Sequence, residues 1–141
     1  MNPVVHFEMP YEDKDRIADF YEKSFGWQAK MMGPEMGNYV VVMTNELDEK
    51  TKFPKKPGMI NGGFFEKTDD PRSKYPSVVI AVDDIKGAME RVKKSGGKLL
   101  GGGQKPGTEE PDDIPGVGLY MSFADSEGNR VGMLQPAPMN M

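Results

Sequence analysis

The strongest constraint on this chain is that its pattern is written twice. Lys23-Ser24-Phe25-Gly26 lies over Lys94-Ser95-Gly96-Gly97 at an offset of 71, and the same offset sets Asp13 on Asp84. Further along, Asn61-Gly62-Gly63-Phe64-Phe65 lies over Arg130-Val131-Gly132-Met133-Leu134 at an offset of 69. Few letters match, so the order of elements carries the repeat. In the first copy, residues 4–9 alternate as a strand, with Val5, Phe7 and Met9 on one side and His6 and Glu8 on the other. Asp13 opens a helix whose apolar stripe is Ile17, Phe20, Tyr21 and Phe25, and Gly26 stops it. Strands around 38–44 and 61–66 flank a charged, proline-bearing loop, ELDEKTKFPKKPG.

The second copy runs the same way. Residues 76–82 are a β-branched strand, 85–95 a helix with Ile85, Ala88, Met89 and Val92 on one face, and 98–100 a short strand. A Gly/Pro-rich loop reaches to about Gly118, and strands 119–124 and 130–135 form a hairpin across 125–129. One such strand-helix-strand-strand-strand unit covers a single sheet face with its helix and leaves the other bare. Two copies can line their bare faces along a shared, cupped sheet. The expectation is an α+β fold: one domain over 1–141, with βαβββ modules at 1–70 and 71–141 related by a pseudo-twofold, forming a curved mixed sheet around a central cleft.

Composition narrows the function. A net charge of −4, with only the short KFPKK as a basic run, argues against a nucleic-acid partner. The absence of cysteine removes disulfides, thiolate nucleophiles and cysteine metal sites. No signal peptide is visible and no apolar run approaches the roughly 18 residues that cross a bilayer, so a cytoplasmic protein without a membrane partner is expected. The twelve methionines read as core filler, apart from Met1, Met139 and Met141 at the ends.

VHFEMPYEDKDRIADFYEKSFGW resembles the opening of the vicinal oxygen chelate proteins, the glyoxalase/bleomycin-resistance/dioxygenase superfamily. INGGFF, VVIAVDDI, KKSGGK and ADSEGNRVGMLQP resemble its later landmarks in the right order, in the flavour of a poorly characterised glyoxalase-related branch. The resemblance implies paired βαβββ modules, a homodimer, and binding or conversion of a small molecule. It also implies that metal-using members hold one divalent ion with four side chains on the first and last strands of the two modules. Carried onto this chain, those positions are His6, Gly63, Ser77 and Gly132. One imidazole and a serine hydroxyl fall short of the three or four donors that tight binding needs. Glu8 shares the face of His6 but sits about 7 Å along the strand. No metal cofactor is therefore expected, the alternative being an ion such as Zn, Ni, Fe or Mn.

The expected function is binding of a small organic molecule in the inter-module cleft. The alternatives are a metal-dependent lactoylglutathione lyase-like or dioxygenase-like enzyme, and a metal-free enzyme with His6 as general base. His6 reads as a ring hydrogen-bonded to Ser77 or a neighbouring strand, as a polar anchor for a ligand, or as a base oriented by Glu8 or Ser77. Gly63 and Gly132 either make room for a ligand or relieve sheet curvature. Asn61 either aims its amide into the cleft or bonds a turn. Phe65 and Leu134 share the parity of Gly63 and Gly132 and would line the cleft, while Phe64, Val131 and Met133 pack beneath the helices. Trp27 reads as a core or interface aromatic, or as a cleft wall. GGGQKPG is a turn rather than a phosphate loop. TEEPDDIPGVG is a lid or a passive connection, with Asp112 and Asp113 exposed as at most a weak surface cation site.

Overall fold

Asp13 caps α1 (Lys14–Phe25), its carboxylate accepting the Arg16 N–H at 3.0 Å. Gly26 closes the helix in the left-handed region at φ 75°, its N–H donating to the Glu22 carbonyl at 2.9 Å. These ends fall where the sequence puts them. The computed structural model describes residues 1–52 and 54–138. Phe53 of the long loop and the terminal Met139 and Met141 lie outside the described residues. His6–Pro76 make one compact unit, and Met1–Val5 group with the described residues from Ser77 onward in the other.

The first unit contains β1 (Val4–Tyr11, from His6 on), α1, β2 (Gln28–Met31), β3 (Val40–Met43) and β4 (Asn61–Glu66). Strands run in the order β2-β3-β4-β1. β3 is antiparallel to both neighbours, whereas β1 and β4 are parallel, pairing His6 with Asn61 and Glu8 with Gly63. One sheet face packs under α1: Tyr11, Val40, Val42 and Phe64 are buried, with Phe7, Met9, Ile17, Tyr21 and Trp27 against them. Trp27 stacks on Tyr21 at 4.6 Å and leans on Phe7 at 5.4 Å, so it belongs to this core.

Two expectations are corrected in this unit. Phe20 and Phe25 are 56% and 65% exposed, so they are not core. Ile17 and Tyr21, one turn apart, face the sheet together with buried Ala18. Phe20 sits beside that row, edge-on to Tyr21 at 5.0 Å, and Phe25 is the last helical residue. The apolar stripe is thus narrower than the spacing of aromatics suggests. The second correction is β2, which the sequence reading did not locate. All four of its residues are exposed on an edge strand, so no alternation marks it.

The second unit contains β5 (Ser77–Ala81), α2 (Ile85–Lys94), β6 (Lys98–Gly101), β7 (Asp112–Ile114), β8 (Gly118–Ala124) and β9 (Arg130–Pro136). β5 is parallel to β9, and β9 is antiparallel to β8. β6 and β7 both pair with β8, along successive stretches of it. α2 buries Val82, Ile85, Ala88, Met89, Leu99, Met121 and Met133 on one face of this sheet. Asp84 stands at the N-cap but accepts no backbone hydrogen from its side chain. Instead the Ile85 N–H donates to Oε1 of Gln135 at 3.0 Å, which ties the helix start to β9.

β7 corrects the reading of 101–118 as an unbroken loop. Asp112, expected at the surface, is 3% exposed, and its Oδ2 accepts the Gln104 N–H at 3.0 Å. A side chain at Gly102 would run into that carboxylate. Asp113, the next residue on the strand, is exposed. Each unit is an α+β module of strand, helix and three further strands, with β7 an addition to the second. Among the described residues no helix is long and apolar enough to cross a membrane.

A tyrosine over glycine on each helix-free face

In both units the residues of interest lie on the sheet face turned away from the helix. In the first, the parity opposite Phe7, Phe64, Val40 and Val42 carries His6, Glu8, Asn61, Gly63 and Phe65, with Val41 beside Gly63. In the second, the parity opposite Ile80, Met121 and Met133 carries Val79, Gly132, Ser122, Tyr120 and Leu134.

His6 is half-buried, and its Nε2 lies 2.9 Å from the Tyr39 hydroxyl, a hydrogen bond whose donor is set by the imidazole tautomer. Burial pushes the imidazole pKa below its ordinary 6.5, against a smaller upward pull from the Glu8 carboxylate. Glu8 is 6% exposed, on the same strand face two residues on. Tyr39 was not singled out in the sequence, and it decides the geometry here. Its ring lies so close over Gly63 that a Cβ there would collide with the ring and the hydroxyl. Gly63 is buried and does not need a left-handed backbone, so its missing side chain is explained by the tyrosine seated on it.

The second unit repeats this arrangement. A Cβ on Gly132 would come within 2.7 Å of the Tyr120 hydroxyl. Val41 pairs with Gly63 and Ser122 pairs with Gly132, and in each case the tyrosine stands two residues before that partner. The two glycines thus share one structural reason, a diagonal tyrosine.

The remaining candidates fall into place separately. Oδ1 of Asn61 accepts the Thr44 N–H at 2.8 Å, the Asn45 N–H at 3.2 Å and the Asn45 side-chain amide at 3.0 Å, so this face of the amide fastens the end of β3. Ser77 accepts from Nη1 of Arg130 at 3.5 Å, a contact at the outer limit for a hydrogen bond. Phe65 and Leu134 are half-buried on the parity of the two glycines, while Phe64 and Met133 are buried under the helices.

The donor chemistry does not fit a resident divalent ion. Of the four positions carried over, Gly63 and Gly132 offer no side chain and are covered by phenol rings, and Ser77 faces a guanidinium, which repels a cation. Among the described residues, no three His, Cys, Asp or Glu side chains gather as a metal-binding group.

Known proteins resemble this chain along almost its whole length. It is 32% identical over 124 residues to a glyoxylase-like domain-containing protein of Didymella fabae, covering 86% of this chain and 84% of that protein. It is 31% identical over 117 residues to a probable chloroplastic lactoylglutathione lyase of Arabidopsis thaliana, covering 82% of this chain but 30% of that protein. Among solved structures, a variant methylmalonyl-CoA epimerase of Streptomyces coelicolor, in complex with 2-nitronate-propionyl-CoA, superposes with a TM-score of 0.67 at 12% identity, covering 100% of this chain and 99% of that one. The methylmalonyl-CoA epimerase of Mycobacterium tuberculosis gives 0.62 at 14% identity, covering 96% and 88%. These structures share the fold of paired βαβββ modules. The family model for the Glyoxalase/Bleomycin resistance protein/Dioxygenase superfamily matches residues 4–133, and this chain belongs to that superfamily.

Proposed function

We propose that this chain binds a small organic molecule on the helix-free face bearing His6 and Tyr39, and does so without a catalytic metal ion. The observation that carries the reading is the Tyr39 ring seated on Gly63 with its hydroxyl 2.9 Å from His6 Nε2. A position that could have carried a coordinating side chain instead holds a phenol, and the imidazole already has a protein partner. Together the two groups present a hydrogen-bonding pair beside half-buried Phe65, which suits a molecule with a polar head and an apolar body.

The same hydrogen bond favours a second reading, in which His6 is the general base of a metal-free reaction. Tyr39 fixes the ring's orientation, and burial holds the imidazole in the neutral form that a base needs near neutral pH. Similarity to a probable lactoylglutathione lyase supports an activity of the glyoxalase kind without specifying its substrate.

Elemental analysis of protein purified without added metal tests the first reading, together with mass spectrometry of any small molecule it retains. The expected result is no stoichiometric transition metal. One ion per chain, lost on His6→Ala, would overturn it. Loss of turnover in a folded His6→Ala protein that still retains its ligand would select the second reading over simple binding.

A further inference from the structure

The sheet register puts position 63 next to Glu8, and Glu8 two residues from His6 on the same face. His6 and Glu8, about 7 Å apart along β1, do not close on one ion by themselves. A carboxylate at 63, on the neighbouring strand, would reach between them and complete one imidazole and two carboxylates, a donor set of the kind that holds Zn²⁺ or Ni²⁺. Two features of this chain oppose it. Gly63 has no side chain, and the space above it is filled by the Tyr39 ring, whose hydroxyl also engages Nε2 of His6. The arrangement is not an accident of one loop, because Tyr120 lies over Gly132 at the matching register position of the second unit.

We infer that Tyr39 is a built-in metal excluder: its ring occupies the room that a coordinating side chain at position 63 would need, and its hydroxyl takes the histidine nitrogen that would otherwise face the ion. The inference rests on the metal-free reading above and deepens it by naming the residue responsible. It makes the face one ring substitution and one carboxylate away from a metal site.

Tyr39→Ala/Gly63→Glu therefore gains a Ni²⁺ or Zn²⁺ site, tighter than any residual wild-type binding by at least about tenfold, and adding His6→Ala abolishes the gain. Isothermal titration calorimetry with each metal salt reads the affinity, and circular dichroism with a thermal melt confirms the fold. Gly63→Glu alone gains no site, because its side chain meets Tyr39. Tyr39→Phe/Gly63→Glu keeps the ring and also gains none; a gain there would show that the hydroxyl alone excludes metal, and would overturn the steric half of the inference. Tyr39→Ala/Gly63→Asp, with its shorter side chain, replaces the first double variant if that one does not fold.

Absence of metal binding in a folded double variant would sink this inference while leaving the metal-free reading intact. A stoichiometric ion on the wild-type protein would sink both.

Discussion

Asn61 and His6 are register partners on adjacent parallel strands, yet they serve different ends. Oδ1 of Asn61 gathers the backbone N–H groups of Thr44 and Asn45 and so closes the end of β3 against β4. Asn61→Ala leaves those half-buried donors unmatched, and the expected loss is about 1–3 kcal/mol of stability, measured by urea unfolding. The family resemblance marks His6 and Gly132, and the two repeat offsets carry those positions onto Ser77 and Gly63. Sequence alone could not find Tyr39 or Tyr120. Each tyrosine reaches its glycine diagonally across a strand pair, and the β3–β4 connection is far longer than the β8–β9 turn, so no single offset aligns the two. The alternation that makes Tyr39 share a face with Val41 and Gly63 is a property of pairing register, which the letters do not state.

At the scale of elements, the helices were legible to within a residue or two because their ends carry chemistry: Asp13 and Gly26 for α1, and Gly96, at φ 95°, just past α2. The faces of α1 were less so, since aromatic spacing alone named Phe20 and Phe25 as core. Exposed Phe20→Ser should change stability by no more than about 0.5 kcal/mol. Tyr21→Ala should cost about 3 kcal/mol, since that ring meets Trp27 at 4.6 Å and Phe64 at 5.6 Å. Chemical denaturation of the two variants separates the surface ring from the half-buried one packed on the core. β2 and β7 escaped notice for opposite reasons. β2 is an exposed edge without alternation, and β7 is an acidic tripeptide that reads as loop until Asp112 is seen folded inward against Gly102.

For the molecule as a whole, the one histidine sets a pH dependence. Burial lowers the folded-state pKa of His6 below 6.5, so between the two values the unfolded chain binds more protons than the folded one. Stability contributed by the neutral ring is fully present above about pH 6.5 and declines as the pH falls through that window, levelling off below the folded-state pKa. Thermal melts from pH 7.5 down to pH 5 should show this decline, and His6→Gln should flatten it; an imidazole NMR titration reads the same shift directly. The unequal connections have a kinetic counterpart. β8 and β9 meet across residues 125–129, whereas β3 and β4 meet only after the chain has travelled through residues 44–60. Closing the longer excursion costs about 1 kcal/mol more in chain entropy, so the late hairpin is the faster of the two to zip and the better starting point for assembly. A duplicated architecture has in this way acquired a direction in time, its C-terminal copy leading.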